Sequence, residues 1–322
     1  MNRSVRRQRG AALLVAMVLL TVVATLAAGM VWQQWRAVQV EIAERSRAQS
    51  AWILVGALDW ARLILREHRS DYTSAQDAWA QPLAEARLST FLAADRDNNA
   101  DSGPEAFLSG QIVDAHSRYN LNNLVLQHKV VPAELKTLDR LCRSAGLSAT
   151  TAELLAQGLA HAPVAEGSAG ATATQATSAA ALPPTRIEDL AWLGLDAATI
   201  EALRPWLTLL PERTAVNLNT APREVLAAVI EGIEAADADR LVQARQREPF
   251  RTLEDAKALL PAGAVLDAAR VTVRSTYFEV HGRLRLDDRV LEEASLVHKR
   301  NASEVVTINR RRLSSVLAAA RS

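Results

Sequence analysis

The sequence predicts an α+β protein: a long N-terminal membrane helix packed on a small antiparallel sheet, with a large all-α domain inserted into that sheet. Three observations predict this. An uncharged run of 22 residues, 11–32, continues without a break into an amphipathic stretch. Alternating apolar and polar residues appear before and after the middle of the chain. The residues between those strand-like stretches carry helical periodicity instead.

The first ten residues hold four arginines (Arg3, Arg6, Arg7 and Arg9) and end in Gly10. As a helix, the 22 uncharged residues that follow span about 33 Å, enough to cross a hydrocarbon core. The basic flank predicts a cytoplasmic Met1 and a C-terminal domain delivered across the membrane. A cleaved secretory signal peptide is the competing reading. Its apolar region is about 7–15 residues long, shorter than this one, and Thr25-Leu26-Ala27 and Ala27-Ala28-Gly29 are mediocre cleavage sites. Beyond the span, Gly56 is the one turn signal before Arg69. Ala51, Leu54, Val55, Leu58, Ala61 and Leu65 form a single helical stripe, so residues 11–70 read as one membrane and assembly helix.

Residues 71–108 are polar and broken, with room for a short helix in DYTSAQDAWAQPLAEARLSTFLA. Within them Asp95, Asp97, Asn99 and Asp101 occupy alternate positions, as the oxygen ligands of a calcium loop do. Ala100 stands where that loop needs glycine, and Ala106 where its bidentate glutamate belongs, so a solvated Asp/Asn loop competes with a calcium site. Residues 111–115 read as a short strand, and 118–122 as the start of a helical region. Leu121, Leu124, Leu135, Leu138 and Leu141 recur at helical spacing, and TTAELLAQGLAHA makes another helix. Residues 163–184, small and almost uncharged, read as a flexible loop.

Helices resume from Ile187. In NLNTAPREVL, Thr220 is a candidate cap, Pro222 falls in the first turn, and Val225, Leu226, Val229 and Ile230 face a core. Gly232 ends that helix, and residues 237–247 form the next. Strand alternation then runs from Val271 and Val273 through Tyr277, Phe278 and Val280. Asp287-Asp288 marks a hairpin between 282–286 and 290–297, and 305–309 adds a last strand. The basic end, 309–322, reads as an unstructured tail. The sheet domain thus comprises 71–118 and 266–308, interrupted by the helical domain 119–265.

A basic leader of ten residues, a glycine at the boundary and a long helix resemble type IV pilins and type II secretion pseudopilins. The resemblance implies cleavage by a prepilin peptidase after Gly10 and N-methylation of Ala11. Most such proteins carry a glutamate five residues after the cut, where this chain has Val15. K-type minor pseudopilins (general secretion pathway protein K) typically lack it, and the segments around Arg118–Asn122, NLNTAP and RSTYFEVHGRLRL also resemble that family. The resemblance implies a pseudopilin fold with an α-domain insertion, anchored in the inner membrane with its C-terminal domain in the periplasm, and a place at the pseudopilus tip. The implied partners are the I- and J-type minor pseudopilins, with contact to exoproteins or the outer-membrane secretin. Since an inserted domain of this bulk would clash with subunits stacked above it, sterics also favour a tip position.

Two other readings come from the same residues: a minor pilin of a type IV pilus, and a membrane-anchored DNA receptor. The second rests on residues 217–256, which resemble a helix-hairpin-helix unit. Glu231, Glu234, Asp237 and Asp239 surround its hairpin, and such charges repel a phosphate backbone, so no nucleic-acid partner is expected.

Composition excludes rather than selects. Net charge is +1, with 23% charged and 49% apolar residues. The single cysteine, Cys142, rules out an intramolecular disulfide and reads as a buried thiol. The six histidines show no metal-ligand spacing, and no P-loop or nucleophile elbow occurs. Asp114, His116 and Ser117 are too close in sequence to converge as a triad. No enzyme is expected.

Overall fold

The computed structural model describes residues 9–88, 106–161, 183–286 and 289–313. It divides into two units, 1–56 and 57–322. The leader 1–8, the Asp95–Asp101 run, residues 163–182 of the small-residue loop, Asp287-Asp288 and the last nine residues lie outside the described residues.

Helix α1 (Arg9–Glu67) is 59 residues long. Its first 48 residues belong to the N-terminal unit and its last three turns to the C-terminal one. In the C-terminal unit it is followed by a single 3₁₀ turn (Ala78–Ala80) and strand β1 (Leu83–Arg87), where the sequence suggested a short helix. Strand β2 (Ala106–Asp114) starts five residues before the expected strand. Next come the two-residue strands β3 (Tyr119–Asn120), β4 (Val125–Leu126) and β5 (Lys129–Val130). Helices α2 (Pro132–Ser144) and α3 (Ala149–His161) follow, then a 3₁₀ segment (Ile187–Leu193), α4 (Ala197–Leu203), β6 (Leu207–Thr208) and β7 (Val216–Asn217). The chain closes with α5 (Arg223–Val229), α6 (Ala235–Arg247), α7 (Leu253–Lys257), β8 (Val271–Thr272), β9 (Tyr277–Leu286), β10 (Arg289–Lys299) and β11 (Val305–Leu313).

The main sheet is antiparallel, in the order β1-β2-β9-β10-β11. The expected hairpin is present, with Arg289 opposite Leu286. Period-2 patterning places Ile112, Phe278, Val280, Val297 and Val305 on one face, where they bury Leu58, Ala61 and Leu65 from the last turns of α1. Trp79 packs edge-on against Phe278 at 5.1 Å, and Arg62 donates twice to the Val305 carbonyl, at 2.9 and 2.6 Å. Fully burying side chains such as Leu65 and Phe278 contributes about 1.5–3 kcal/mol each. Two details correct the sequence reading. Strand β8 leaves the sheet to pair with β7, and β11 continues to Leu313, so Arg310, Arg311 and Arg312 are strand residues and not the start of a tail.

The helical domain is built twice over. Its first half opens on β3, runs through the α2–α3 hairpin and returns in β6, which pairs parallel to β3. Its second half opens on β7, runs through the α5–α6 hairpin and returns in β8, parallel to β7. A left-handed glycine turns each hairpin, Gly146 (φ 72°) and Gly232 (φ 79°), a conformation that costs other residues strain. Helices α2 and α5 pack together, and one core runs through both halves, from Leu121, Leu138 and Leu141 to Val225, Leu226 and Leu241.

Candidate functional site

Each half begins with the same tripeptide, Asn120-Leu121-Asn122 and Asn217-Leu218-Asn219. In both, the first asparagine's Oδ1 accepts from the backbone N–H two residues on, at 3.1 and 2.9 Å, forming an Asx turn. In both, the leucine is fully buried. The remaining amide groups fasten distant segments. Asn120 binds the Glu212 carbonyl (2.7 Å), the Thr214 hydroxyl (3.0 Å) and the Leu210 N–H (3.1 Å). Asn123 and Thr214 form a reciprocal pair at 2.8 and 3.0 Å, and Asn219 and Phe250 another, at 2.8 Å both ways.

The second turn meets the sheet at Asp114, the last residue of β2, which is 3% exposed. Its Oδ2 accepts from Asn217 Nδ2 (2.9 Å), Thr220 Oγ1 (2.5 Å) and Ser275 Oγ (2.6 Å), and its Oδ1 accepts from the His116 N–H (2.8 Å). Asn217 Nδ2 also reaches the Thr73 carbonyl at 3.1 Å. A buried carboxylate is tolerable only with donors of this kind, so Asp114 joins sheet, helical domain and the segment after α1 at one point. Thr220, read as a helix cap, instead spends its hydroxyl on Asp114, and Pro222 takes the cap position of α5. The sequence signal for this junction was the doubled NLN.

No triad forms from Asp114, His116 and Ser117. The His116 ring contacts the Ala215 carbonyl (2.9 Å) and Thr276 Oγ1 (3.3 Å), and the Ser117 hydroxyl donates to the Asp114 carbonyl (2.6 Å). Cys142 is buried in the helical core, and burial, followed by the nearby Asp139 charge, pushes its thiol up to about 11. Among the described residues no group of three or more His, Cys, Asp or Glu side chains is placed to hold a metal. Asp95, Asp97, Asn99 and Asp101, the candidate calcium ligands, are outside those residues.

The α5–α6 turn is closed against its own domain. A Cβ on Gly232 would collide with the Gly263 carbonyl, and Val265 N–H donates to the Glu231 carbonyl at 3.0 Å. Val225, Leu226, Val229 and Ile230 are buried as expected. Arg245 donates to the Leu218 carbonyl (2.6 Å), and burial lowers its guanidinium to about 10, still cationic at neutral pH. Arg245, which reaches the second NLN turn at Leu218, is therefore engaged internally.

In the N-terminal unit, α1 is long and apolar enough to cross a membrane. Gly10 and Ala11 lie in its first turn, and Val15 is 59% exposed on it.

Family models for type II secretion system (T2SS) protein K match residues 117–212 and 216–274, which are the two halves of the helical domain. The type II secretion system protein K of Pseudomonas aeruginosa is 30% identical over 304 residues, covering 88% of this chain and 86% of that protein. The chain belongs to the type II secretion system protein K family. The protein K of Pectobacterium carotovorum is 27% identical, over 91% of this chain and 93% of its own. A chain in the crystal structure of the GspK–GspI–GspJ complex from enterotoxigenic Escherichia coli shares the fold, with a TM-score of 0.65 at 20% identity over 85% of this chain and 99% of that one. Membership makes this a minor pseudopilin of the K type, a structural component of a type II secretion system, and the apolar helix fits its single-pass membrane anchoring.

Proposed function

We propose that this minor pseudopilin stands at the tip of a type II secretion pseudopilus. There it assembles with I- and J-type minor pseudopilins and helps start the filament that exports folded proteins through the outer membrane. The observation that carries this reading is the fold shared with a chain solved in complex with GspI and GspJ. The bulk of the doubled helical domain between β2 and β9 supports it, because an insertion of this size fills space that a following subunit would need. In this reading the protein does no chemistry and works by assembly.

The N-terminal residues take their roles from the same reading. A prepilin peptidase cuts between Gly10 and Ala11, and Ala11 is methylated. The arginines of the leader keep the start of the chain cytoplasmic and place the sheet and helical domain in the periplasm. Val15 removes the carboxylate that would otherwise pair with a neighbour's N-terminal amine, a contact that stabilises a charge in lipid. A first subunit does without that pairing.

Co-purification tests the assembly. The chain in detergent, mixed with the periplasmic domains of I- and J-type minor pseudopilins from the same organism, should elute as a three-protein complex. Separate elution at micromolar concentrations would overturn the tip assignment.

A further inference from the structure

We propose that the helical domain is hinged on the sheet: it pivots beside Asp114 and is held against β10 and β11 by an ion-pair strap that releases. The covalent connections lie at one side. The chain enters the domain between β2 and β3 and leaves it between β8 and β9. Ser275 Oγ donates to Asp114 Oδ2 at 2.6 Å, joining these two crossings. The segment after α1 ties in at the same place through the Thr73 carbonyl. Gln76 adds to it, its amide donating to the carbonyls of Arg245 (3.2 Å) and Gln246 (2.8 Å). These bonds fix the pivot and leave the angle of the domain to whatever lies beyond it.

Beyond the pivot the two bodies share no core. The helical core runs from Leu121 to Val273, whereas the sheet core gathers around Phe278 and Val297 on the face that meets α1. On the opposite face a small apolar group, Ala115, Leu210 and Tyr277 with Leu296 against it, joins domain and sheet. Past it the interface opens. A cavity of about 580 Å³ lies between Leu126 and Pro211 of the domain and Leu296, Ile308 and Asn309 of the sheet. A second, of about 80 Å³, lies between Thr208 and Leu209 on one side and Ala294 and Ser295 on the other. Domains move relative to one another by default unless a large apolar interface joins them, and this one is neither large nor well filled.

What crosses the gap is polar. Nearest the pivot, the Tyr277 hydroxyl donates to Glu212 at 2.8 Å, and Arg118 Nη2 lies 2.8 Å from Glu279 Oε2. Farther up the ladder, Arg311 of β11 donates to both oxygens of Glu188 in the 3₁₀ segment, at 3.3 and 3.1 Å. Arg204 holds Glu188 from within the helical domain at 2.7 Å, so the carboxylate meets β11 already oriented. Glu188 and Arg311 are 41% and 33% exposed. Pairs this exposed contribute little to stability and weaken with salt, so this outer pair sets the angle without locking it. Its release swings the domain away from β10 and β11 and uncovers Leu209 and Leu296.

Double electron–electron resonance on the full chain in detergent tests this. Spin labels on Ala198→Cys in α4 and Thr307→Cys in β11, both exposed positions, span the gap. Labels on Ala198→Cys and Lys257→Cys lie within the helical domain and serve as the control. Cys142 is buried and stays unlabelled. The spanning pair should give one narrow distance distribution. Glu188→Gln with Arg311→Gln should at least double its width, while the control pair keeps its own. If that double variant does not fold, raising sodium chloride from about 0.05 M to about 1 M on the unsubstituted strap supplies the same test. A spanning distribution that stays narrow, or a control pair that broadens with it, would overturn the inference. The measurement involves no I- or J-type partner, so its failure is distinguishable from failure of the assembly.

Discussion

Asn217 Nδ2 donates to Asp114 Oδ2 across 2.9 Å, joining residues 103 apart in the chain. That bond brings the second NLN turn of the helical domain onto the end of a sheet strand. Around it converge the hydroxyls of Thr220 and Ser275 and the carbonyl of Thr73. The contact holds the doubled helical domain at a fixed place on the pseudopilin sheet.

Removing the carboxylate strands several buried donors at once. Asp114→Ala should therefore lower unfolding free energy by about 2–4 kcal/mol, the cost of unsatisfied buried polar groups. Urea unfolding followed by tryptophan fluorescence checks it. A loss below about 0.5 kcal/mol, the range of ordinary surface substitutions, would mean that the junction contributes little.

The parts legible in the sequence were those with a local period. The apolar run and the Leu58–Leu65 stripe gave α1, and alternation around the 287–288 turn gave the β9–β10 hairpin. The parts that escaped are made by distant partners. Two-residue parallel strands such as β3–β6 and β7–β8 have no alternation to read, so Val271 and Val273 looked like part of the closing sheet. Asp114 and Thr220 looked like a strand end and a helix cap because their shared hydrogen bond spans 106 residues. The doubled NLN was visible all along as a repeat, and only the structure joins it to a repeated strand–hairpin–strand unit.

The two hairpin glycines separate backbone strain from steric collision. Gly146 has φ 72° and open space where a Cβ would go, whereas Gly232 has φ 79° and faces the Gly263 carbonyl. Gly146→Ala should cost about 1–2 kcal/mol, the price of a left-handed alanine. Gly232→Ala should cost at least about 1 kcal/mol more, since the turn must open as well. Equal losses in thermal unfolding would contradict the close packing of the second hairpin.

Cys142 should be inert while the chain is folded. Its thiol is fully buried and raised to about 11, and the thiolate is the reactive form. At about pH 8, a thiol reagent such as dithiobis-nitrobenzoate should modify it only in denaturant. Fast modification of the native chain would contradict a buried position between the helices.

Acid should loosen the C-terminal unit in two separate windows. Burial, reinforced by Lys299 and opposed by Asp77, lowers His68. Burial likewise lowers His298, despite the opposing Glu212 charge. With the folded value below 6.5, the unfolded chain binds protons first, so stability falls as pH drops from about 6.5 towards the lower folded value. Glu279 behaves differently. Burial would raise it, but the His281 hydrogen bond and the Arg118 charge outweigh that and hold it at about 2. Its contribution is complete above 4.5 and is lost as pH falls from there towards about 2. Unfolding midpoints measured from neutral pH to about pH 5 should decline, and the His68→Gln, His298→Gln double variant should flatten that decline while leaving the lower window intact. An unchanged slope in the double variant would remove the histidines from the account.

The central claim is that this chain is processed and assembled as a pseudopilin, and the mass of its mature N-terminus tests that most directly. Intact-mass and N-terminal peptide analysis of the chain, purified from membranes of cells that express prepilin peptidase, should show a protein beginning at N-methylated Ala11, with the first ten residues gone. A chain that keeps Met1 to Gly10, or one cut beyond the apolar run near Ala28, would contradict the account.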